Sequence, residues 1–199
     1  MISKIQKILV YIFITFGLLF TYGIAQETKL VTNDVLLNGD FEEELSIGWQ
    51  ISSKDYAGSS EINRDKIEKN HFAHLQKDWG GYAELSQILK LDNLNQNLSF
   101  RLNLNATSNR EGYSATSAFI VGFLDKNNKI TSEIRIAYST SQLTNSSILY
   151  NYPTKPAEWK VYTLNIKDEL KKHFPKVDVS QIKKLRIASY TYNTETSGC

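Results

Sequence analysis

The stretch LSFRLNLNATS, Leu98–Ser108, decides the class of fold. Leu98, Phe100, Leu102 and Leu104 alternate with Ser99, Arg101, Asn103 and Asn105. Successive side chains of a strand leave on opposite faces, so this run predicts a strand with one face on a core and the other in water. Outward from it the same period of two recurs. SEIRIAYS, Ser132–Ser139, turns Ile134, Ile136 and Tyr138 to one side and Glu133, Arg135 and Ala137 to the other. SAFIVGFLD, Ser117–Asp125, is apolar on both sides, as a central strand covered on both faces must be, and runs into the turn-forming DKNNK. Further strands are predicted at FAHLQ, YAELSQILKL, EWKVYTLNI and KLRIASYTY. KDELKKHF, Lys167–Phe174, alone reads as helix, with Leu170 and Phe174 four apart and Pro175 stopping it.

These runs predict an all-β chain: a two-sheet antiparallel β-sandwich of the jelly-roll kind with one short helix near the C-terminus. An immunoglobulin-like sandwich is the competing reading, without the Cys, Trp, Cys pattern that is its best evidence. No Gly/Ser-rich or Pro-rich linker interrupts residues 26–199, which are read as one domain.

Residues 1–25 are set apart. Lys4 and Lys7 precede the uncharged apolar run Ile8–Phe20, and Gly-Ile-Ala ends at Ala25 with small residues where a signal peptidase reads them. Cleavage after Ala25 is the expectation, with a retained anchor as the alternative, and the mature chain is then secreted or held at the cell surface, with no membrane partner. Cleavage removes two of the 23 basic residues and none of the 21 acidic ones, leaving a formally neutral chain. Without a basic block there is no electrostatic reason to expect nucleic acid. The single cysteine, Cys199, offers no internal disulfide, so the fold must rest on packing.

The opening LLNGDFEEELSIGWQIS, Leu36–Ser52, then gains a context. Asn38, Gly39, Asp40, Phe41 and Glu42, followed by Gly48 and Trp49, resemble the first strand and turn of the carbohydrate-binding modules attached to bacterial cellulases and xylanases, in the galactose-binding-domain-like superfamily. GGYAELSQILKL, LSFRLNL, AFIVGFLDKNNK and EWKVYTL are similar to that family's later strands, in the family's order. The resemblance spans about Asn33 to Tyr192. It implies a non-catalytic, secreted module that recognises an extracellular poly- or oligosaccharide on a concave sheet face. A structural or adhesive sandwich of a surface protein, or the ancillary module of a longer glycoside hydrolase, are the other readings. The family's closing strand, with a segment like Ile-Asp-Asn-Val, has no counterpart before YNTETSGC, so the chain is cut short of further structure or ends differently.

Candidate chemistry follows from residue type. Asp40 and Glu42 put oxygen donors beside a turn, suited to a hard cation, and the resemblance implies a structural Ca2+ near this first strand. Glu43 and Glu44 read as the wet edge of the same turn, and Trp49 and Trp159 as packing residues. Arg101, Asn103, Arg135 and Tyr190 lie on the polar sides of predicted strands and Trp79 on a Gly-flanked loop. Planar donors for hydroxyls and aromatic rings for sugar faces are the pairing a glycan needs, so these five are the expected carbohydrate contacts. No Gly-x-Ser-x-Gly or His-Glu-x-x-His pattern supports a hydrolase.

Overall fold

The computed structural model describes residues 9–13, 36–108 and 110–195. The rest of the expected export leader, residues 26–35 and Cys199 lie outside the described residues. The strands in chain order are β1 (Leu9–Phe13), β2 (Gln50–Asp55), β3 (Ser60–Ile67), β4 (Asn70–Lys77), β5 (Gly81–Lys90), β6 (Asn97–Leu104), β7 (Ala115–Leu124), β8 (Ile130–Ser139), β9 (Leu149–Pro153), β10 (Lys160–Asn165) and β11 (Lys184–Asn193). A helix, α1 (Ile166–His173), and a 3-10 turn at Val179–Gln181 separate β10 from β11.

The strands form the two sheets expected. One has five strands in the order β10-β6-β1-β4-β3, the other six in the order β2-β5-β11-β7-β8-β9. Every pairing is antiparallel except β8 with β9. Phe100, Leu102 and Leu104 are each 1% exposed and belong to one core with Phe119, Val121 and Phe123 of β7. The Phe100 and Phe119 rings lie 4.1 Å apart, where the two sheets meet. The other face of β7 is covered too: Ala118 and Ile120 sit under Leu143 of the β8–β9 connection, which is why this strand carries no polar side.

α1 forms where its sequence asks for it. The Asn165 side chain caps the first turn by accepting from the Asp168 N–H at 3.1 Å, and Pro175 prevents a further turn. Leu170 and Phe174, one helical turn apart, are 0% and 3% exposed in the core. Phe174 meets Phe123 edge-on at 6.3 Å.

Two expectations are corrected. The turn expected at Asn38–Asp40 is there, with Asn38 and Phe41 at left-handed backbone angles (φ 48° and 57°), but among the described residues no strand leads into it at Leu36 and Leu37. Asn38 fixes the turn: its amide donates to the Glu43 and Glu44 carbonyls at 3.1 and 3.0 Å and accepts from the Glu43 N–H at 3.0 Å. Its carbonyl also takes the Trp49 indole N–H at 3.0 Å, while that ring stacks on Phe41 in the core at 5.4 Å. Gln87 of β5 ties the turn to the six-stranded sheet, through the Leu37 N–H and the Leu37 and Gly48 carbonyls. Trp159, in turn, lies half-buried outside the main core, edge-on to Phe72 at 6.0 Å on the outer side of the five-stranded sheet.

Candidate functional site: the outer face of the six-stranded sheet

On β5 and β11 the residues that alternate with the core are Tyr82, Glu84, Ser86 and Ile88, and Arg186, Ala188, Tyr190 and Tyr192. The register places Tyr192 beside Tyr82, Tyr190 beside Glu84, and Arg186 beside Ile88. Tyr190 stacks between its neighbours, 6.0 Å from Tyr82 and 6.3 Å from Tyr192, with interplanar angles of 25° and 15°. Three half-buried rings thus make one strip across the open face. Glu84 and Arg186 form an ion pair beside it, and Glu133 and Arg135 of β8 another at 2.5 Å. Between the two pairs the floor is small and apolar, of Ala118, Ala137 and Ala188 with Ile120.

Tyr190 packs against this floor, and so does Leu143. Ala137 and Leu143 also border a cleft of about 470 Å³ whose far wall includes Asn145, Tyr150 and Asn151. Burial first, with Tyr192 and Glu84 adding to it against Arg135, pushes the Tyr190 phenol up to about 12. It is therefore a protonated hydroxyl at neutral pH, able to donate and accept. The arrangement offers flat aromatic surface, guanidinium and carboxylate groups in fixed pairs, and a shallow apolar floor.

Of the five residues expected to touch carbohydrate, the structure brings two together here, Arg135 and Tyr190. Arg101 and Asn103 are on β6, which belongs to the five-stranded sheet, so they face away on the opposite side of the sandwich. Alternation names the polar side of a strand but not the sheet it joins. Arg101 covers the Trp159 ring at 5.1 Å. Trp79 is half-buried in the turn between β4 and β5 at φ 65°, with the Arg110 guanidinium over its ring at 5.5 Å and Gly58 against its edge. Tyr82 and Tyr192 were legible in principle as the outward partners of Tyr190 at period two, but their cross-strand pairing was not.

The turn proposed for calcium does not fit the ion. The Arg64 guanidinium already takes the carbonyls of Phe41 and Glu42, at 2.5 and 2.6 Å. Glu42 accepts from His71 at 2.9 Å, and that bond, chiefly, holds its carboxyl below the ordinary value. An Asp40 oxygen accepts from the Glu42 N–H at 3.3 Å. A cation there would have to displace the Arg64 guanidinium and the His71 ring. Among the described residues no three His, Cys, Asp or Glu side chains gather as a metal site. His74 pairs with Asp65 at 2.8 Å, apart from His71, as their strand positions require.

The nearest thing to an ion site is internal. Lys77, 0% exposed, donates from Nζ to the carbonyls of Ala57, Ser59 and Asp78 at 2.8, 3.2 and 2.7 Å and pairs with Asp55 at 3.1 Å. Its ammonium fills a cage of oxygens, and Gly81 leaves it room: a Cβ there would meet Lys77 Cε at 2.9 Å and the Lys54 carbonyl at 1.9 Å.

Among the described residues no helix is long and apolar enough to cross a membrane. No protein-family model matches the chain, and no curated protein matches it in sequence. Among solved structures it is similar to the enzymatically active domain of tailspike protein 4 from bacteriophage CBA120, at 14% identity and a TM-score of 0.41. That match covers 77% of this chain and 18% of the tailspike chain, so this chain spans less than a fifth of that structure's length. The sequence expectation of a non-catalytic chain is corrected against this finding: the neighbour is by its title an enzymatically active domain, while a likeness of this degree assigns the chain neither an activity nor the lack of one.

Proposed function

We propose that the outer face of the six-stranded sheet binds carbohydrate, an extracellular poly- or oligosaccharide laid along the Tyr82–Tyr190–Tyr192 strip. The observation that carries the reading is the strip itself, three near-parallel rings flanked by two Arg–Glu pairs over a floor of alanines. Pyranose rings present axial C–H groups that stack on aromatic faces, and their hydroxyls accept hydrogen bonds from guanidinium groups and donate to carboxylates. The pairs hold these groups in place before binding, which lowers the ordering cost. Export past the membrane, as the leader Met1–Ala25 leads one to expect, brings such a face to extracellular glycans.

Affinity electrophoresis through gels containing xylan, β-glucan, mannan or cellulose tests the reading. Retardation by one of them is expected, abolished by Tyr190→Ala and kept by Arg101→Ala, whose side chain serves the opposite sheet. Failure of every glycan to retard the native chain would remove the proposal.

A further inference from the structure

The strand β1 holds the five-stranded sheet together. It is antiparallel to β4 on one side and to β6 on the other, so β4 and β6 run parallel to each other and, among the described residues, are joined in the sheet through Leu9–Phe13. Without it the sheet is two ribbons, β10-β6 and β4-β3, flanking a slot about 10 Å wide, two strand spacings. The strands on either side of it are core-facing: with β1 in place Ala73 and Leu75 of β4 are 0% exposed and Leu102 and Leu104 of β6 1%. The slot's walls are rows of backbone N–H and C=O groups that need a partner.

Two properties of an occupant can be read from the register. Position 10 stands between Leu75 and Leu104, and position 12 between Ala73 and Leu102, all core residues. Position 11 stands between His74 and Asn103 on the outer, polar side. The slot therefore selects at two alternate positions and tolerates variety between them. Yet Leu9–Phe13 falls inside the apolar run Ile8–Phe20 of the expected leader, so cleavage at Ala25 carries the strand away.

We propose that the space between β4 and β6 is a strand-acceptor site: Leu9–Phe13 fills it in the uncleaved chain, and after cleavage it takes an extended apolar strand donated by another polypeptide, antiparallel to both neighbours. Backbone hydrogen bonds on both edges supply affinity, and branched apolar residues at the two core positions supply selectivity.

The test uses the full chain with a specific protease site placed between Ala25 and Gln26, folded first and cut afterwards. The cut chain meets a fluorescent peptide carrying Leu9–Phe13 between solubilising lysines, and the same peptide with Val10→Asp and Ile12→Asp. The apolar peptide should bind saturably and raise the melting temperature, because a ligand of the native state stabilises by mass action. The doubly charged peptide should bind at least ~100-fold more weakly, since two carboxylates would be buried without partners. If the cut chain unfolds as the leader washes away, recovery of the fold with the apolar peptide, and none with the charged one, gives the same answer. A cut chain that releases the leader, keeps its melting temperature and refuses the peptide would overturn the proposal, as would equal binding of both peptides.

Discussion

Lys77 shows how a single residue can stand where sequence patterning puts a hydrophobe. It shares the inward side of β4 with Ala73 and Leu75, yet its ammonium is satisfied by three carbonyls and Asp55. Lys77→Met keeps the stem and strands the oxygens, so urea denaturation should show a loss of about 3 kcal/mol, well above an ordinary surface change. Asn38→Ala should cost about 2 kcal/mol by the same measurement, because alanine resists a left-handed φ and drops the side-chain bonds to Glu43 and Glu44. His173 makes a different prediction. It lies against Tyr150 at 3.5 Å and bonds the Tyr152 hydroxyl at 2.6 Å, and burial pushes its ring below the ordinary 6.5 despite the Glu169 carboxylate. A depressed histidine favours the neutral folded form, so this stability is present above about 6.5 and is lost as pH falls below it. The melting temperature should fall between pH 7.5 and 5.5, and less so in His173→Gln. The roles of Trp49 and Leu170 were legible from sequence because apolar residues at the right period have one place to go. Lys77, Asn38 and His173 were not, because their partners lie far along the chain or in backbone carbonyls that no pattern displays.

Among the elements, those with strict alternation or a capped apolar turn are where the sequence put them. LSFRLNL is β6, SEIRIAYS falls in β8, and KDELKKHF overlaps α1. Of the strands that sequence reading passed over, β2 is mostly exposed, β3 has no buried residue and β9 is short; all three are edge strands. Of the first strand and turn read at Leu36–Glu42 the turn is present, held by Asn38 and Gln87, and the strand before it is not found among the described residues. The apolar run Ile8–Phe20 carries two readings at once, a leader by its flanks and, at Leu9–Phe13, a central strand by its apolar content. Amide hydrogen exchange on the uncut chain separates the roles of the neighbours: β4 and β6 should be protected on both edges, and Val10→Asp should lower that protection in these two strands more than in β5 or β11.

For the whole molecule, the division into two sheets matters more than any one motif. A sandwich has two outer faces, and the expected carbohydrate residues fall on both: Arg135 and Tyr190 on one, Arg101 and Asn103 on the other. Among the described residues the first face joins its residues to an aromatic strip, an apolar floor and an adjoining cleft. On the second face Trp159 lies edge-on to Phe72 and under the Arg101 guanidinium. Binding is therefore expected from one side of the sandwich. Amide chemical shifts followed while the retarding glycan is titrated into the labelled chain test this most directly. The changes should gather at Tyr82, Glu84, Arg135, Tyr190 and Tyr192; changes confined to Arg101, Asn103 and Trp159 on the five-stranded sheet would contradict the assignment of the face.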